Sequence, residues 1–74
     1  MNLIREVRTH RRLPAPDDAR SIRERAGVSQ ARLADELGVH RVTVARWESG
    51  TRQPRGALRL AYARLLLRLE EVSA

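Results

Sequence analysis

The sequence predicts an all-α chain of four to five helices, and three observations predict it. Apolar residues recur at helical spacing in every segment, strand signals are almost missing, and prolines and glycines fall where helices start and stop. The chain has no phenylalanine, and its few valines sit in helical rather than alternating spacing. Its 74 residues make one small domain with a thin core, of a size that is often marginal without a partner, metal or disulfide. Cysteine is absent, which removes disulfides and thiolate metal sites. His10 and His40 are too few and too far apart for a metal cluster, so neither metal nor cofactor is expected.

Residues 2–11 carry Leu3, Ile4 and Val7, an i, i+1, i+4 stripe that suits a short helix or arm. Leu13-Pro14-Ala15-Pro16 interrupts it, because proline lacks a donor and biases the residue before it away from helix. The next helix should run over residues 16–26. Pro16 suits its first position, Asp17 and Asp18 complement the positive end of the dipole, and Gly27 supplies the stop. Ala19, Ile22 and Ala26 form its inner face. Ser29 is placed as the N-cap of a helix over residues 30–37, with Leu33, Ala34 and Leu37 inward and Gly38 ending it. A further helix opens at Val39-His40-Arg41 and reaches about Glu48. With His40 as cap, Val39 and Val44 form a hydrophobic staple, and Val44 and Trp47 give the buried side. Residues 49–53 read as a polar loop, and Pro54 primes a last helix over residues 54–72.

The charge balance narrows the partner. Fifteen basic residues against nine acidic give a net charge of +6, which favours polyanions. All fifteen are arginine, for which codon bias in a GC-rich genome is sufficient explanation; position must show whether any of them reads nucleic acid. No stretch approaches the roughly 18 apolar residues of a membrane span. Residues 1–12 hold no apolar signal-peptide core, so a cytoplasmic location and no membrane partner are expected. The sequence also lacks a nucleophile–base pair, a glycine-rich phosphate loop and a metal constellation, so no enzymatic activity is expected.

Two short helices joined at Gly38 by a tight turn have the geometry of a helix-turn-helix. Ala34 is small enough for the helices to cross closely, and Val39, Val44 and Trp47 would pin the crossing angle. Arg41, Val42, Ala45 and Arg46, spaced i, i+1, i+4 and i+5, share one helix face, while Val44 and Trp47 lie away from it. An arginine there can grip guanine O6 and N7, and Val42 can pack on a thymine methyl.

The run SQARLADELGVHRVTVARWESG over residues 29–50 resembles the lambda-repressor-like, or XRE, helix-turn-helix family, above all in Val28-Ser29-Gln30, Leu33-Ala34 and Trp47-Glu48-Ser49-Gly50. The resemblance extends from about Asp18 to the start of the last helix. It implies a compact all-α bundle of four to five helices: an arm or short helix over residues 1–15, a DNA-binding core over 16–56 with its motif at about 29–49, and a long C-terminal helix over 57–74. It also implies that Arg41, Val42, Ala45 and Arg46 face base edges, and that Gln30, Thr43, Arg52 and Arg55 contact phosphate. An ion pair between Arg23 and Glu48 would tie the preceding helix to the recognition helix. Two features depart from the family. His40 stands where serine or threonine is usual, which weakens the cap, and the tail reads as one long helix instead of two short ones.

That last helix carries two apolar stripes. Leu58, Tyr62, Leu65, Leu69 and Val72 form one; Leu60 and Leu67, with Ala63 close by, lie on nearly the opposite side. A monomer needs only the first, so Leu60, Ala63 and Leu67 are expected to be covered by Leu3, Ile4 and Val7 or, preferably, by a second copy in a homodimer. The resulting expectation is a regulator of transcription on double-stranded DNA with a palindromic operator. It would be a small repressor of phage, prophage or toxin–antitoxin type, with a regulatory protein partner as one means of control. An architectural or recombination factor that bends DNA, and a protein-interaction module, are the alternatives.

Overall fold

The computed structural model describes residues 13–73. The segment holding Leu3, Ile4, Val7 and His10, and with it the first expected helix, lies outside the described residues. Four helices follow: α1 (Pro16–Arg25), α2 (Gln30–Leu37), α3 (Arg41–Ser49) and α4 (Gly56–Ser73). No strand occurs among the described residues. This is the all-α bundle with a long C-terminal helix that the sequence predicts.

Local chemistry accounts for the boundaries. Pro16 opens α1 with Asp17 and Asp18 in its first turn, where negative charge meets the unpaired N–H groups. Ser29 Oγ accepts from Arg32 N at 3.0 Å and caps α2. At its other end Gly38 takes φ 69°, a left-handed conformation that costs a residue with Cβ, so that Val39 N reaches Ala34 O at 3.0 Å. His40 caps α3: its Nδ1 accepts from Val42 N at 3.1 Å, so the imidazole performs the role that a hydroxyl more often takes.

The last helix starts later than Pro54. Gly56 takes φ 56°, which breaks helical continuity and leaves the buried Pro54 and the exposed Arg55 in the loop.

α1 packs on α3 and α4, while α2 packs on α3 and touches α4. The core gathers Ala19, Ile22, Leu33, Ala34, Val44, Trp47, Tyr62 and Leu66. Leu33, Val44 and Leu66 are fully buried, each contributing about 1.5–3 kcal/mol by leaving water. Trp47 and Tyr62 meet with ring centroids 4.7 Å apart at 41°, a tilted contact worth about 0.5–1.5 kcal/mol beyond burial.

The buried side of α4 differs from the expected stripe. Leu66, only 1% exposed, joins Tyr62 at its centre; Leu65 and Leu69 are half-buried, Leu58 is exposed, and Val72 is 83% exposed. Three consecutive leucines, Leu65 to Leu67, make the wheel ambiguous in sequence, and only the crossing with α1 and α2 selects among them. On the second stripe Ala63 is 5% exposed, Leu60 is half-buried and Leu67 is 45% exposed. Ala63 is therefore already buried within the single chain, and only Leu67 of the three lies open.

A candidate nucleic-acid interface on the third helix

The motif is held together from behind. Arg23 on α1 donates to Glu48 on α3 through two parallel bonds, Nε to Oε2 at 2.6 Å and Nη2 to Oε1 at 3.0 Å. Its third nitrogen, Nη1, donates to the Val28 carbonyl at 2.8 Å, so the same guanidinium also fixes the turn before α2. The two side chains are 9% and 3% exposed. Hydrogen bonding to Glu48 leads the effects that hold the Arg23 guanidinium above its ordinary value, against the opposing effect of burial. A buried charge pair of this kind survives because both ends are bonded throughout.

With α3 pinned on that side, its other side is presented outward. Arg41, Val42 and Arg46 are exposed and Ala45 is half-buried on this face, with Thr43 half-buried at its edge. Val44, Trp47 and Glu48 are buried behind it. Trp47 is thus a core residue and not a platform on which bases stack.

Gly50, at φ 78°, ends α3 and lets the chain fold back, with Thr51 N and Arg52 N both donating to Arg46 O at 3.0 and 3.2 Å. Ser49 Oγ lies 2.8 Å from Thr51 Oγ1 and donates to the same carbonyl. This turn carries the exposed Arg52 and leads to Arg55. Between it and α3 lies an open cleft of about 620 Å³ whose lining includes Thr43, Arg46, Thr51, Arg52 and Arg55. Three guanidinium groups around one shallow cleft suit the anionic oxygens of a nucleic-acid backbone.

Gln30 is engaged within the protein. Its Nε2 donates to Glu48 Oε1 at 3.0 Å, and its Oε1 accepts from Arg41 Nη1 at 3.0 Å. Sequence reasoning placed Gln30 only as a phosphate contact and missed both bonds. Gln30 and Arg41 stand 11 residues apart, across the turn, and no local periodicity connects them.

Two short helices crossing at a glycine turn, a buried scaffold and an outward arginine face are the geometry of a helix-turn-helix domain. A helix-turn-helix family model matches residues 20–68, well over half of the chain. The protein belongs to this family, the lambda-repressor-like or XRE group, whose members are DNA-binding regulators of transcription. None of the curated proteins and none of the solved structures matches it. Among the described residues no helix is long and apolar enough to cross a membrane.

Proposed function

We propose that the protein is a sequence-specific repressor that acts by occupying an operator in duplex DNA, of the kind found in phages, prophages and toxin–antitoxin systems. One observation carries this reading: Arg41, Val42, Ala45 and Arg46 share the outer face of a helix whose inner face is locked by Val44, Trp47 and Glu48. In the major groove the arginines would read guanine, and Val42 would meet a thymine methyl. Gln30, Thr43, Arg52 and Arg55 would contact phosphate, setting register without reading sequence.

The repressor would work in the cytoplasm as a homodimer through the outer face of α4 around Leu67. Leu67, left 45% exposed on α4 with the half-buried Leu60 on the same side, supports that arrangement. A two-fold dimer would match palindromic half-sites about one helical turn apart. Control would come through concentration, proteolysis or a protein partner.

Selection of bound sequences from a random duplex pool tests the proposal. The expected result is a palindromic consensus, with binding that weakens steeply as salt rises and is abolished in R41A/R46A. Recovery of unrelated duplexes with a common bend would favour an architectural factor instead. A salt-insensitive protein interaction with no DNA affinity would overturn the reading. Leu67→Glu should give a monomer by light scattering, and a variant that stays dimeric would place the interface elsewhere.

A further inference from the structure

His40 stands at the start of α3 and holds its first turn twice. Its imidazole Nδ1 accepts from Val42 N at 3.1 Å, and its backbone carbonyl accepts from Thr43 N at 2.9 Å. The next two residues, Arg41 and Val42, are exposed and open the outward side of the helix. We propose that this cap is a proton-sensitive switch: when the exposed imidazole takes up a second proton, the cap is lost, the first turn of α3 loosens, and base reading by Arg41 and Val42 weakens. The effect on DNA rests on the reading of those two residues as base contacts; the loss of the cap does not.

The protonation state that the cap needs follows from its donor. A backbone N–H can only donate, so Nδ1 must offer Val42 a lone pair, and the single proton of the neutral ring must sit on Nε2. An imidazolium carries a proton on both nitrogens and has no lone pair to offer. Protonation and the cap therefore exclude each other. A charged ring is also disfavoured at this end of a helix, where the unpaired N–H groups amount to a partial positive charge. A serine or threonine cap has no such dependence, because histidine is the side chain that ordinarily changes charge between about pH 5 and pH 8.

No neighbouring acid is bonded to the ring to hold its charged form in place. On α2 the nearest carboxylates in the chain are Asp35 and Glu36, and Glu36 is bonded to Arg32 at 3.1 Å. On α3 itself Arg41 and Arg46 are cations, and Glu48 lies about 12 Å along the helix from the cap, bonded to Arg23 of α1. Among the described residues no carboxylate pairs with His40. The neutral ring is the capping form, so the contribution of the cap is present above about pH 6.5, where histidine in an unfolded chain ordinarily titrates, and is lost as the pH falls further.

On DNA the loss is local. A duplex that matches Arg41 and Val42 must order the loosened turn in order to be read, whereas a duplex altered at the base pairs they contact gains nothing from ordering it. Discrimination at those pairs should fall by about fivefold between about pH 7.5 and pH 5.5, the factor that the worth of one N-cap supplies. A charged imidazole attracts the phosphates of every duplex alike, so it changes affinity but cancels from this ratio. R41A and Val42→Ala, measured on duplexes altered one base pair at a time, identify the pairs concerned.

The cap is tested first without DNA. His10→Gln leaves His40 as the chain's single histidine. In ¹⁵N spectra of that variant the neutral ring should carry its proton on Nε2, and the Val42 amide should shift with the same midpoint as the ring. In His40→Ser, whose hydroxyl keeps an acceptor at the cap, the Val42 amide and the discrimination should both stay flat across the range. A neutral ring protonated on Nδ1, or a Val42 amide indifferent to the ring, would overturn the switch. So would an equal loss of discrimination in His40→Ser, or a responding amide with discrimination unchanged at the acidic end. If R41A and Val42→Ala leave selectivity unchanged at every base pair, base reading is what fails, and its control by protonation falls with it.

Discussion

Val44, Trp47 and Glu48 on one side of α3 are out of water, and both oxygens of Glu48 are bonded. Val42 and Arg46 on the other side, and Arg41 at its edge, stand in solvent, and Arg41 is bonded to the Gln30 side chain. The two sides belong to the same nine-residue helix and differ in what a substitution disturbs. On the inner side, removing an atom leaves a cavity or an unpaired charge in low dielectric. On the outer side, water replaces whatever is lost. The lesson is that stability and recognition are separable here within one turn of helix, and that they meet at Gln30.

The sharpest break of this comparison is Glu48→Ala set against R41A/R46A. Without Glu48 the Arg23 guanidinium stays buried with only the Val28 carbonyl for a partner, which should cost about 3–5 kcal/mol of unfolding free energy. For a chain this small that is a large part of its total stability. Denaturant titration should therefore show Glu48→Ala largely unfolded, and R41A/R46A within about 0.5 kcal/mol of the native protein. If both variants lose the same stability, the two sides are not separable.

A second contrast lies along α4. Leu66→Ala removes a fully buried side chain and should cost about 2–5 kcal/mol, whereas Val72→Ala at the far end of the helix should cost almost nothing. Thermal denaturation of both variants tests this. A large loss in Val72→Ala, reversible on dilution, would instead show that this end of α4 is buried by a second copy in solution.

These two residues mark the boundary of what the sequence made legible. The core of the motif could be read because its signals are local: Ser29 and His40 at helix starts, Gly38 at a helix end, and the Val39–Val44 pair around a cap. The register of α4 could not, because Leu65, Leu66 and Leu67 present an apolar residue in three directions and the choice is made by α1 and α2 packing against the helix. The start of α4 shifted for a similar reason. Pro54 is a good opening residue, but it is buried in the loop, and Gly56 breaks the backbone after it. The pairing of Arg23 with Glu48 was available only through resemblance, and the bonds of Gln30 not at all, since both depend on how helices far apart in sequence cross.

The buried side of α3 has one imperfect neighbour, and it gives the smallest of these effects. Tyr62 packs on Trp47, and its hydroxyl is the buried side-chain atom that finds no hydrogen-bond partner among the described residues. Burial first, and then the nearby Glu48 carboxylate, push its phenol well above the ordinary value of 10.0, with Arg23 acting in the opposite sense. In the unfolded chain the phenol ionises near its ordinary value while the folded protein still holds the proton. The folded state then binds more protons than the unfolded one, so this contribution to stability is fully present below about pH 10 and declines as pH rises through the folded value. Tyr62 is the chain's single tyrosine, so phenolate absorbance reports on it alone. Tyr62→Phe should flatten the alkaline decline. At neutral pH it should leave stability unchanged or raise it by up to about 1 kcal/mol, because a hydroxyl without a partner pays its desolvation with no bond in return. A loss of more than about 1.5 kcal/mol at neutral pH would mean that the hydroxyl is bonded in solution, to a buried water or to Glu48, and the inner side of α3 would then be more completely paired than the structure shows.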